Sequence, residues 1–128
     1  MILEVIPAGT LTHIHTDSQA TYNMLTRLSN LDYKEDSTRE ILKRNCWLTW
    51  ETIYILIDTK NICLIVNKVA AHSGDPDNNI ANAAAKVAAR LDFDIEIHNC
   101  EHSRIAFTLK YRKDMVEENP RRYLQHLT

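Results

Sequence analysis

The stretch Leu11-Thr12-His13-Ile14-His15-Thr16-Asp17-Ser18 decides the reading of this chain. Leu11, His13 and His15 alternate with Thr12, Ile14 and Thr16 in the period-two pattern of a strand, which stops at Asp17-Ser18, a pair that favours a helix start. Beyond it Ala20, Met24, Leu25 and Leu28 recur at helical spacing until Ser29-Asn30 breaks the stripe. The sequence therefore predicts a strand, an acidic residue at its carboxyl end, and a helix of about three turns. Asp17 read alone is a helix cap.

Working outward, Ser37 and Glu40 stand at capping-box spacing and predict a short helix through Ile41 and Leu42. Trp47, Trp50, Tyr54 and Ile57 follow at steps of three, four and three, which predicts a second helix from about Asn45 to about Thr59. The apolar run from Ile62 to Val66, between Lys60-Asn61 and Asn67-Lys68, suits a parallel strand covered on both faces. Asp75 then reads as a cap, with Pro76 at the first helical position. The alanine-rich segment 77–91 carries a stripe of Ile80, Ala84, Val87 and Leu91, and its small side chains suit close packing on a sheet.

Past Asp92, Phe93, Ile95 and Ile97 alternate with polar residues, and Ile105, Phe107, Leu109 and Tyr111 do so again, predicting an antiparallel hairpin. An amphipathic stretch from Met115 to Glu118, and then Pro120 to Leu127, is consistent with a short terminal helix. The fold class is α/β: a parallel strand pair packed by helices, with a carboxy-terminal hairpin. Residues 1–91 form the principal unit and 92–128 an extension.

At 128 residues the chain is sized for one domain, and 45% hydrophobic with 25% charged residues is a globular balance. No apolar run approaches the roughly 18 residues that a membrane span needs. Cys46, Cys63 and Cys100 are an odd number without paired spacing, which suits reduced thiols. With no basic leader ahead of Glu4, this predicts an intracellular protein, nuclear or cytoplasmic. A formal charge of −2 means that any nucleic-acid function requires a local basic face or a metal ion.

The order strand, helix, helix, strand, helix predicts parallel pairing, and ligands of such sheets collect at the carboxyl ends of the strands. Two ends are visible, at Asp17 and in the loop around His72. His15-Thr16-Asp17-Ser18-Gln19-Ala20 resembles the strand-to-helix junction of type 1 ribonuclease H domains. Lys68-Val69-Ala70-Ala71-His72-Ser73-Gly74-Asp75, followed by Asn78 and Ala81-Asn82, resembles that family's histidine loop and final helix. The resemblance covers about Ile2 to Leu91. It implies the second half of a ribonuclease H-like fold, as in retroelement reverse transcriptases, and an RNA–DNA hybrid as partner.

It also implies a magnesium cofactor and hydrolysis of the RNA strand, in which two metal ions activate water and stabilise the leaving oxygen. Asp17 would ligate metal, with Asn82 where the family carries a fourth carboxylate. His72 would assist proton transfer or product release, while Ser18, Gln19 and Asn78 would face the hybrid. The family's first strands supply two further carboxylates, and with sixteen residues ahead of Asp17 neither can be placed. The expectation is a truncated domain that is inactive alone, or a noncatalytic nucleic-acid or protein interaction module pairing through an exposed strand edge.

Other candidates are weaker. His13 and His15 share a strand face without a third ligand, and the run His98, Cys100 and His102 lacks the partners that zinc requires, so a turn is the simpler account. Lys110, Arg112, Lys113, Arg121 and Arg122 interleave with Tyr111 and Tyr123 in the composition of a nucleic-acid surface, but Asp114, Glu117 and Glu118 dilute them, which favours a solvated face.

Overall fold

The computed structural model describes residues 2–30, 32–71, 74–91 and 109–127. Its elements are α1 (Ile2–Val5), β1 (Leu11–Thr16), α2 (Gln19–Ser29), α3 (Thr38–Leu42), α4 (Trp47–Thr59), β2 (Cys63–Lys68), α5 (Pro76–Ala88), β3 (Lys110–Tyr111), β4 (Asp114–Met115) and α6 (Pro120–His126), with a 3-10 turn at Asp32–Glu35. β1 and β2 pair in parallel from Leu11 against Cys63 to Thr16 against Lys68. The predicted mixed α/β class and the parallel pair are therefore present. No helix among the described residues is long and apolar enough to cross a membrane.

Local chemistry sets the boundaries. Ser37 and Glu40 form the expected capping box at α3, with Glu40 reaching back to the Ser37 amide at 2.8 Å. Asn61 turns α4 into β2 at φ +50°, a left-handed conformation that asparagine tolerates better than most residues. The core gathers Leu25 and Leu28 of α2, Ile41 and Leu42 of α3, Trp47, Leu48, Leu56 and Ile57 of α4, and Ile62 and Leu64 at β2. Tyr33 is fully buried, and its hydroxyl donates to the Glu51 carboxylate at 2.7 Å. Asp36, also buried, takes hydrogen bonds from Arg27 and, at 2.7 Å, from Arg44. Lys60 holds α1 by donating to the carbonyls of Leu3, Glu4 and Ile6.

Three expectations need correction. Among the described residues β2 is covered on one face: Leu64 is 8% exposed whereas Ile65 is 38% exposed, because α2 and the core lie on a single side. α5 does not lie on the sheet. It buries no residue, and Ile80, Val87 and Leu91 of its stripe are exposed. The described hairpin joins Lys110–Tyr111 to Asp114–Met115, so Met115 ends a strand instead of beginning a helix. The predicted partner strand from Phe93 to His98, and the run His98, Cys100 and His102, lie outside the described residues. The terminal helix is present at Pro120–His126.

The carboxy-terminal segment joins the core through Val116, which is 3% exposed and whose carbonyl accepts from the Trp47 indole at 2.8 Å. Next to it the Glu117 carbonyl accepts from the Cys46 amide at 2.7 Å, which fixes the left-handed residue ahead of α4.

Candidate nucleic-acid interface

Parallel pairing in register brings the carboxyl ends of β1 and β2 to one rim. Ser18, and not Asp17, caps α2: its hydroxyl accepts from the Thr21 amide at 3.2 Å. The Asp17 carboxylate is thereby free of the capping role that the residue alone suggested. At α5, Asp75 is the cap as expected, accepting from the Asn78 amide at 2.9 Å, with Pro76 opening the helix. This sets the Asn78 side chain toward β1, where its amide nitrogen donates to Asp17 Oδ2 at 3.1 Å. Lys68 closes the junction by donating to the carbonyls of Asp17 at 2.7 Å and Val69 at 3.1 Å.

Beside this junction opens a cavity of about 220 Å³ lined by His15, Val69, Asp75, Asp77, Asn78 and Ala81. Among the described residues the junction thus carries Asp17, Asp75 and Asp77 against the ammonium of Lys68. Such a rim repels a bare phosphate, so a polyanion approaches it only with a cation between them. Magnesium typically takes one or two carboxylates and completes its shell with water and substrate phosphate. The half-buried Asp17 fits that use as one anchor, since its Oδ1 makes no hydrogen bond among the described residues.

The structure brings Asp17 and Asn78 together and places Ser18 next to them as a cap. Gln19 is exposed and donates along its own helix to Asn23 at 2.8 Å. Asn82 stands one turn beyond Asn78 on α5 and is exposed, offering an amide oxygen without charge. His72 lies outside the described residues. Sequence reasoning assigned no role to Lys68 or Asp77 and set His15 aside. The places of Lys68 and His15 follow from the strand register, which sets Lys68 level with Thr16 and His15 level with Asn67.

The other edge of β1 is unpaired among the described residues. The bonds from Cys63 N to Thr10 O and from Val69 N to Thr16 O flank the ladder, so the even-numbered residues of β1 serve β2. The N–H and C=O groups of Leu11, His13 and His15 face outward. No family model, curated protein or solved structure matches the chain.

Proposed function

We propose that this chain is a nucleic-acid-binding domain of ribonuclease H type, with a ribonuclease H-like arrangement of strands and related to the RNA–DNA hybrid endoribonucleases of retroelements. The observation that carries the reading is the contact between Asp17, stepping off one parallel strand, and Asn78, in the first turn of the helix that follows the other. Two sequence blocks that resemble one family meet at one rim, where α/β sheets bind ligands.

Asp17 would hold a magnesium ion, with Asn82 as a neutral oxygen donor nearby, and the ion would supply the positive charge that a phosphodiester needs at this acidic rim. Ser18, Gln19 and Asn78 face the sugar edge of the hybrid, where the 2′-hydroxyl separates RNA from DNA. His72 assists proton transfer or product release. With Asp17 the one carboxylate at a matched position, the domain binds a hybrid without cleaving it alone. Incubation of the full chain with a labelled hybrid and magnesium tests this: binding without cleavage is the expected result. Cleavage that vanishes in Asp17→Asn would make it a working nuclease, and absence of both binding and cleavage would contradict the reading.

The outward-facing backbone groups of Leu11, His13 and His15 favour a second reading, a noncatalytic interaction module that adds a partner strand at this edge. A Leu11→Pro variant that loses a protein partner but keeps hybrid binding would favour the module.

A further inference from the structure

A second charged surface lies where α3 meets the start of α6. One cavity of about 590 Å³ is lined by Arg39, Leu42, Lys43, Asn119, Pro120 and Arg121. An adjoining one of about 450 Å³ shares Lys43, Asn119 and Arg121 and adds Asn45, Arg122 and Gln125. Together they form a continuous cleft with four cations, Arg39, Lys43, Arg121 and Arg122, in a chain whose formal charge is −2. Among the described residues no carboxylate lines either cavity.

Three acids of the flanking segments are engaged elsewhere. Asp36 is held by Arg27 and Arg44, Glu40 by the Ser37 amide and hydroxyl, and Glu118 by His126 at 3.2 Å. None of the four cleft cations makes an ion pair among the described residues, and all four are exposed. Unpaired like charges held this close repel one another, and an anionic ligand relieves that repulsion.

Arg39 and Lys43 lie four residues apart on one side of the cleft, and Arg121 and Arg122 stand on the other. The charges are distributed along two joined hollows instead of converging on a point, which suits a chain of phosphates better than one phosphate. Leu42 and Pro120 add apolar surface to the lining. On the same carboxy-terminal segment Tyr111 and Tyr123 pack edge to face at 6.0 Å, with the Arg112 guanidinium 5.4 Å from the Tyr111 ring. A row of cations with an aromatic pair nearby is the composition of a single-strand track.

We infer that the cleft between α3 and α6 binds the phosphodiester backbone of single-stranded RNA or DNA, with Arg39, Lys43, Arg121 and Arg122 as its phosphate contacts. This site uses no residue of the Asp17 rim and needs no magnesium, so it stands or falls separately from the hybrid reading. It also assigns a role to basic residues of the carboxy-terminal extension that the hybrid reading leaves unused.

The test is fluorescence anisotropy of the full chain with labelled oligouridine and oligothymidine, without divalent ions, from about 50 to about 200 mM salt. Arg121→Gln/Arg122→Gln and Arg39→Gln/Lys43→Gln are each expected to weaken binding at least about tenfold and to flatten the log–log salt slope by about 1.4, the value for two lost contacts on a single strand. Lys86→Gln, which removes an exposed cation outside the cleft, is expected to leave this binding unchanged. A second readout uses the unaltered protein: bound oligonucleotide should protect Lys43 from acylation while Lys34 and Lys86 stay reactive. Unchanged affinity and slope in both variants, or an unprotected Lys43, would overturn the assignment. Equal binding of a polyglutamate peptide of matched charge would also overturn it, in favour of an acidic protein partner.

Discussion

The side-chain amide of Asn78 donates to the Asp17 carboxylate at 3.1 Å and so ties the first turn of α5 to the end of β1, 61 residues earlier. α5 buries no residue of its own among those described, so this bond ties its start to the rim while the Asp75 cap orders its first turn. Asn78→Ala should therefore raise amide exchange across Pro76–Ala88 while changing global stability by less than about 1 kcal/mol. Hydrogen exchange read by mass spectrometry checks this. Unaltered exchange in α5 would mean that something else anchors the helix.

Among the described residues the sheet has one packed face, so neighbouring residues of β2 should respond differently to truncation. Leu64→Ala is expected to cost about 3 kcal/mol, as for a leucine removed from a closed core. Ile65→Ala should cost under about 1 kcal/mol. Urea denaturation of the two variants decides it, and equal costs would show that the Ile65 face is covered in solution.

Asp36 gives the fold a specific acid sensitivity. Burial by itself would raise its pKa, but hydrogen bonds from Arg27 and Arg44 and their charges outweigh it and hold the carboxyl below its ordinary value. A depressed pKa contributes stability that is present above the unfolded value and lost as pH falls through the folded one. Asp36→Asn should thus destabilise at neutral pH by about 2 kcal/mol, a modest figure because Arg27 is 41% exposed and remains hydrated without its partner. The difference between variant and parent should shrink between about pH 5 and pH 2 in thermal unfolding. A gap that stays constant with pH would remove Asp36 from the account.

The bond from the Trp47 indole to the Val116 carbonyl joins the carboxy-terminal segment to the first turn of α4. Trp47→Phe keeps most of the ring but leaves that carbonyl without its donor, at a cost of about 1.5 kcal/mol. Faster amide exchange at 114–118 should accompany it. Normal protection there would show that apolar packing of Val116 suffices.

Much of this architecture was legible because it rests on local rules. Alternation through Leu11–Thr16, the stripe Trp47, Trp50, Tyr54 and Ile57, the Ser37–Glu40 box and the Asp75-Pro76 helix start are each written within a few residues. What the sequence concealed was relational. The apolar run at β2 looks the same whether one face or two are covered, and an alanine-rich helix looks ready for a sheet whether or not it docks. At the rim, Asp17 and Ser18 were equally good caps on paper. Only the α2 backbone at Ser18 shows which residue caps and which is left for Asn78. Lys68 gave no signal because its role depends on the strand register.

The most direct test of the central claim compares the affinity of the parent chain and of Asp17→Asn for an RNA–DNA hybrid and for a DNA duplex of the same sequence, with and without magnesium. The account predicts a magnesium-dependent preference for the hybrid that Asp17→Asn abolishes. Equal binding of both duplexes, or a hybrid preference untouched by loss of the Asp17 charge, would contradict it.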